Sequence, residues 1–188
     1  FGISPAGSLR LDKMRQVQHT VNVQGGLEFK LYKGLKFMVD AGLHYYNNLA
    51  SELTNKYYGD AAGIGRILQQ STNLLAFSAK ELLEYNTTIG DHNIRAMVGH
   101  ENYYYRSGYL YGYKAYLADG ESLNLSNAIQ MNEIAGNEDG FALDSYLATL
   151  SYIYNEKYML TANYRADGSS RYAPGHRWGH FGSVGAAW

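Results

Sequence analysis

ALDSYLATLSYIYNEKYMLTANYRADGSSRYAPGHRWGHFGSVGAAW, residues Ala142 to Trp188, is the stretch on which the reading of the fold turns. Tyr146, Ala148, Leu150, Tyr152 and Tyr154 fall on one face of an extended chain, with Ser145, Thr149 and Ser151 on the other, a period of two. Asn155-Glu156-Lys157 makes a tight polar turn. Tyr158, Leu160, Ala162 and Tyr164 then return on one face, opposite Thr161, Asn163 and Arg165. The result is a hairpin with one polar side and one apolar side carrying tyrosines at its ends. That pattern suits a bilayer, because a tyrosine ring buries while its hydroxyl stays at headgroup level. A soluble sandwich uses the same alternation, so the rest of the chain has to decide.

Working outward, the alternation recurs. Val21, Val23, Gly25, Leu27, Phe29 and Leu31 oppose Asn22, Gln24, Glu28 and Lys30, and Lys33-Gly34 turns the chain. Leu35, Phe37, Val39, Ala41, Leu43 and Tyr45 oppose Lys36, Asp40 and His44. Leu83, Tyr85, Thr87 and Ile89 precede a turn at Gly90-Asp91-His92, after which Ile94, Ala96 and Val98 run back opposite Arg95 and Met97. Seven strands are predicted: 17–32, 35–46, 78–90, 93–105, 143–154, 158–166 and 180–188. Residues 1–15 have no clean period and read as loop.

The predicted connections alternate in length. Three short turns alternate with three long loops, expected over about 47–76, 106–141 and 167–179, and soluble domains seldom carry structureless loops of that size. Short turns at one end and long loops at the other is the layout of an outer-membrane barrel, periplasmic and extracellular respectively. The fold class expected is therefore all-β, an antiparallel transmembrane β-barrel segment. Seven strands leave two open edges that lipid does not tolerate, so residues 1–188 read as part of a larger outer-membrane barrel domain.

Composition agrees. Nineteen Tyr and twenty-one Gly, against two Pro, suit strands and tight turns rather than a helical bundle. The absence of Cys removes disulfides, Cys-based zinc sites and thiol catalysis. A net charge of -1 offers no basic field for nucleic acid. No run approaches the roughly 18 apolar residues of a membrane helix, which leaves a barrel untouched because barrel strands alternate. FGISPAGSLRLDKM lacks the basic start and apolar run of a signal peptide, so Phe1 is not expected to be the natural start.

YRADGSSRY followed by RWGHFGSVGAAW resembles the R-x-D-G-S-S-R-F and R-W-G-x-F-P-S-x-x-x-x-W signature in the barrel of SusC-like (RagA-like) TonB-dependent outer-membrane transporters. The matching residues are Arg165, Asp167, Gly168, Ser169, Ser170, Arg171, Arg177, Trp178, Gly179, Phe181, Ser183 and Trp188. Tyr172 stands where the family usually has Phe, and Gly182 where it usually has Pro. HNIRAMVGHE is similar to another strand common in the family. The resemblance implies a 22-stranded barrel with an N-terminal plug, the plug lying outside these residues. It also implies a Gram-negative outer-membrane location and TonB-energised import of an oligosaccharide, or in some members a peptide. A SusD-like surface lipoprotein would lid the mouth, and TonB would act through the plug. Two readings from other classes stay open: a soluble Tyr-rich β-sandwich that binds glycans, and a passive porin-like channel.

Each candidate site residue also has a plainer role. Tyr103, Tyr104, Tyr105, Tyr109, Tyr111 and Tyr113, expected in or beside a long loop, are candidates for ligand contact, since tyrosine faces stack on sugars and its hydroxyl bonds polar groups. Packing within the barrel is the plainer role. The Asp167-Gly168 motif is expected to be structural, with the carboxylate capping a turn, the glycine at positive φ, and the arginines paired with it or with neighbouring strands. The six histidines show no i, i+4 pair and no spaced acidic partner, so no metal or other cofactor is expected. Glu81, Glu84 and Glu101 have no fixed working separation, and the chain is not read as an enzyme.

Overall fold

A computed structural model describes residues 5–119 and 121–188. Among the described residues it contains one α-helix, α1 (Pro5–Leu11), two single-turn 3-10 helices (Gly59–Ala61 and Leu125–Asn127) and seven strands. These are β1 (Lys13–Tyr32), β2 (Leu35–Thr54), β3 (Arg66–Ile89), β4 (His92–Leu117), β5 (Ala128–Tyr154), β6 (Tyr158–Ser169) and β7 (Trp178–Ala187). All seven form one sheet in chain order, each strand bonded to its successor, with β1 and β7 at its edges. Where β5, β6 and β7 meet, the pairing is antiparallel, with Tyr154 opposite Tyr158 and Ala162 opposite Val184.

The tight turns fall where the sequence placed them, and their backbones explain the residues. Gly34 and Gly90 take φ of 80° and 58°, a region open to glycine at no steric penalty. Asn155 and Glu156 take φ of 50° and 51°, two left-handed residues within the three-residue connection between the paired Tyr154 and Tyr158. Asn tolerates this region, whereas Glu does so less readily.

Strand lengths differ from expectation. The segment 47–76, read as loop, is strand except over 55–65, because β2 continues to Thr54 and β3 starts at Arg66. The segment 106–141 is likewise strand except over 118–127, and β6 and β7 shorten the third connection to 170–177. Hydrogen-bonded ladders need no apolar face, so a strand persists after its apolar alternation ends. Only the alternation had been visible. The N-terminal stretch 1–15, read as loop, holds α1 and the start of β1, and its first four residues lie outside the described ones. Asp12 Oδ1 accepts the backbone N–H and side-chain amide of Asn55 at 2.8 and 2.6 Å, which ties this segment down. Trp188 lies one residue beyond β7 and is exposed.

The chain divides into two compact units. A core unit comprises Phe1–Val21, Tyr45–Leu75 and Arg106–Asp139. Here Leu53, Ile67, Leu117 and Ala128 bury against one another, with Leu123 and Leu125 packed over them. The connection 118–127 is held by Asn127, whose side-chain amide donates to Ser122 O at 2.9 Å and to Asp119 Oδ1 at 3.2 Å. A wall unit comprises Asn22–His44, Ala76–Tyr105 and Gly140–Trp188, and holds the three tight turns.

Candidate functional site

The wall unit sorts its side chains by alternation. On one face Phe29 stacks on Phe37, and Val23, Leu27, Leu43, Phe77, Leu83, Leu150, Leu160 and Val184 stand exposed. Two rows of rings edge this apolar band. Near the tight turns His92 lies 4.9 Å from Tyr154, which stacks on Tyr158 at 6.4 Å. Further along the strands His100 stacks on Tyr146 at 4.9 Å, and Tyr146 on Trp178 at 5.9 Å. Tyr146 and Tyr154 are eight residues apart on β5, about 26 Å along a strand and about 20 Å once a barrel strand's tilt is included. That compares with the roughly 25 Å apolar band of an outer-membrane barrel.

The opposite face is polar and carries a line of joined charges. Arg165 on β6 donates through Nε to Asp167 Oδ1 at 2.6 Å and through Nη2 to Glu101 Oε2 at 3.0 Å. Lys80 Nζ lies 3.5 Å from Glu101, and the Ser145 hydroxyl donates to Asp167. A hollow of about 500 Å³ opens over this line, bordered by Gln24, Asp40, Ser78, Asn102 and Tyr103 as well. The pairs are half-exposed and each contributes about 0.2–1 kcal/mol, so the line stabilises less than it organises.

These contacts give the signature residues their roles. Asp167 caps no turn and Gly168 does not take positive φ, contrary to expectation; both lie within β6. Gly168 is tightly overlaid instead. The indole of Trp178 crosses it so closely that an added Cβ would stand 3.0 Å from ring atoms. Gly179 makes room for the Phe181 ring in the same way, at 3.2 Å. Ser170 exchanges two bonds with Ala142, its N–H donating to the carbonyl at 2.9 Å and its hydroxyl accepting the amide at 2.8 Å. Ser169 Oγ accepts the Arg171 N–H, and the Arg171 guanidinium lies 4.6 Å over the Phe141 ring. Ser183 Oγ accepts Asn163 Nδ2 at 3.2 Å, and Arg177 Nε donates to Tyr172 O at 3.1 Å. Bonds from these residues join three strands, and Arg165 lies at the centre of the charged line.

The tyrosine series does not converge as a set. Tyr103, Tyr104 and Tyr105 lie on β4, where alternation sends Tyr104 to the side opposite its neighbours. Tyr103 and Tyr105 both pack on Phe141, at 5.8 and 5.2 Å. In the core unit Tyr109 stacks on Tyr111 at 6.4 Å. Tyr111 and Tyr113 line a separate hollow of about 290 Å³ with Glu52, Thr54, Arg66 and Leu68.

One cluster was not foreseen. His100 was read as lacking an acidic partner, yet Nδ1 lies 2.8 Å from Glu81 Oε2 and Nε2 lies 2.5 Å from Asp144 Oδ1. The partners come from adjacent strands, 19 and 44 residues away, so spacing along the chain carried no sign of them. Among the described residues no group of three such side chains can hold a metal ion. Glu84 is paired with Arg95 at 2.8 Å.

Sequence and fold comparisons point the same way. No family model matches the chain. It is 26% identical over 188 residues to TonB-dependent receptor P39 of Formosa agariphila, covering 96% of this chain and 18% of that protein. It is 26% identical over 196 residues to TonB-dependent receptor SusC of Bacteroides thetaiotaomicron, covering 98% and 18%. The structure of the RagAB peptide transporter superposes with a TM-score of 0.87 at 21% identity, over 94% of this chain and 20% of that one. The fold is that of a transmembrane β-barrel segment. The chain is similar throughout to the SusC-like (RagA-like) TonB-dependent receptors, as its signature implied, and spans about a fifth of their length. These relatives are receptors and transporters, not enzymes.

Proposed function

We propose that this chain is part of the barrel wall of an outer-membrane importer, and that the whole protein takes up a nutrient too large for porins. The observation that carries this reading is the two-faced sheet of the wall unit. Its apolar face is edged by two rows of rings, and its polar face carries paired charges, which is the division a lipid-embedded, water-lined wall requires. A soluble sandwich would cover the apolar face with a second sheet. The likeness to SusC and to the RagAB transporter supports import rather than passive flow.

Import would be TonB-driven, through a plug beyond these residues, with a SusD-like lipoprotein over the extracellular mouth. The solute would be an oligosaccharide or a peptide. The connections 55–65, 118–127 and 170–177 would face outside the cell, and the hollows bordered by Tyr103 and by Tyr111 and Tyr113 would meet the solute.

The test is to isolate the native polypeptide from membranes and measure its intact mass, its detergent requirement and what accompanies it. A chain several times longer that needs detergent and brings a surface lipoprotein is the expected result. A soluble, monodisperse species of about 21 kDa would overturn the reading.

A further inference from the structure

The connection 170–177 is a fixed loop rather than a loose one. Tyr172 N donates to Ser169 O, His176 N to Ala173 O at 3.0 Å, and Ser169 N to Arg177 O at 3.0 Å. Beside it lies a hollow of about 550 Å³, within the range of small-molecule clefts. Tyr172, His176, Arg177, Trp178 and Phe181 border it, and the Tyr172 and Phe181 rings are 63% and 60% exposed.

The charges in this hollow are unequal. Asp167, the carboxylate that borders it, is occupied by Arg165 and Ser145. Arg177 spends only its Nε, on Tyr172 O, and among the described residues no carboxylate pairs with it. That bond holds the guanidinium plane while leaving the terminal nitrogens free, the geometry that grips a carboxylate with two parallel bonds. Tyr172 adds a hydroxyl where the resembling signature has a bare Phe ring.

We propose that this hollow is a subsite for a carboxylate-bearing sugar. The proposal rests on the import reading and narrows its substrate class. The exposed Tyr172 and Phe181 faces take the apolar faces of pyranose rings, while the Arg177 fork takes the carboxylate. A peptide is disfavoured because no uncommitted carboxylate borders the hollow to receive an amino terminus.

The test uses the full-length transporter with any lipoprotein that accompanies it, titrated calorimetrically with tri-galacturonate and with the uncharged trisaccharide of the same linkage. The native protein should prefer the acid by about tenfold or more, as a lost charged contact commonly demands. Arg177→Gln should bring the two affinities together without weakening the neutral sugar. Tyr172→Phe, which keeps the ring and the backbone carbonyl that Arg177 uses, should lower the preference by about two- to fivefold. It keeps the proposal testable if Arg177→Gln fails to fold.

A preference unchanged in both variants, or no binding of the acid, would overturn the subsite. So would displacement of tri-galacturonate at equal affinity by a tripeptide with a free carboxyl end, which would indicate a peptide site. TonB-dependent uptake in cells is measured separately. If it persists, such results sink the subsite alone; if no solute shows it, the import reading fails as well.

Discussion

Leu53 and Ile67 in the core unit are wholly buried, whereas Leu27 and Val184 in the wall unit, side chains of the same chemistry, are 65% and 77% exposed. The first pair finds partners within its own unit, where Leu117, Ala128 and the loop residues Leu123 and Leu125 close over it. The second pair belongs to a sheet face with no covering layer. Burial therefore has different sources in the two units. One hides its apolar groups against protein, and the other leaves them on an open sheet face. Aromatic rings follow the same division, since the wall unit sets His92, Tyr154 and Tyr158 along one edge of its apolar band and Tyr146 and Trp178 along the other.

The sharpest way to break this contrast is to cut the small core. Leu53→Ala should cost about 2–5 kcal/mol of local stability, as buried leucine truncations do. It should speed amide exchange at Ile67 and Leu117 while sparing the β5–β6 hairpin at Tyr154 and Tyr158, and exchange that rises equally in both would show that the units do not differ as described. Val39→Arg, on the apolar face, should cost about 2–4 kcal/mol when folding is measured in lipid vesicles. A cost near zero there would mean that this face does not meet the bilayer.

Smaller effects test the signature. Gly168→Ala drives a methyl against the Trp178 ring and should cost about 1–3 kcal/mol, with a shift in tryptophan emission. A neutral outcome would remove the close-approach account of that glycine. On the polar face, Arg165→Gln and Glu101→Gln combined in a double-mutant cycle should show coupling of only about 0.2–1 kcal/mol, because the pair is half-exposed. Coupling of several kcal/mol would point to a buried network.

The last prediction concerns pH and the core unit alone. The Asp119 carboxyl is held below its ordinary range, first by the backbone N–H groups of Glu121 and Ser122, and also by the Asn127 amide. A lowered folded value means that its contribution is complete above the ordinary carboxylate range and is lost as pH falls through the lowered one. Amide protection across 118–127 should decline on acidification below the ordinary carboxylate range, and Asp119→Asn should flatten that dependence. Equal acid sensitivity in the variant would exclude Asp119 as the cause.

Much of the wall unit was legible before its structure, because period-two alternation between Val21 and Val98 and again from Tyr146 to Tyr164 records which side of each strand meets an apolar medium. The extensions of β2 to Thr54 and of β4 to Leu117 were not, since there buried Leu53 and Leu117 stand among polar neighbours, and the strands keep their ladder without a regular apolar period. Gly168 was expected in a turn at positive φ, and it lies within β6 instead. Its neighbour Trp178 is ten residues away and reaches it only across the β6–β7 pair.

What the sequence determined by itself was the strand count, the tight turns, the two-faced alternation and the likeness to SusC-like barrels. Each is a local property, carried by side-chain order or by a short run of residues. Tertiary structure alone decided that His100 sits between Glu81 and Asp144, that Arg165 joins Asp167 to Glu101, and that Arg177 borders a hollow with no carboxylate partner among the described residues. Such contacts depend on strand register, which brings residues tens of positions apart within bonding distance, and register is set by the pairing of whole strands rather than by any one stretch of chain.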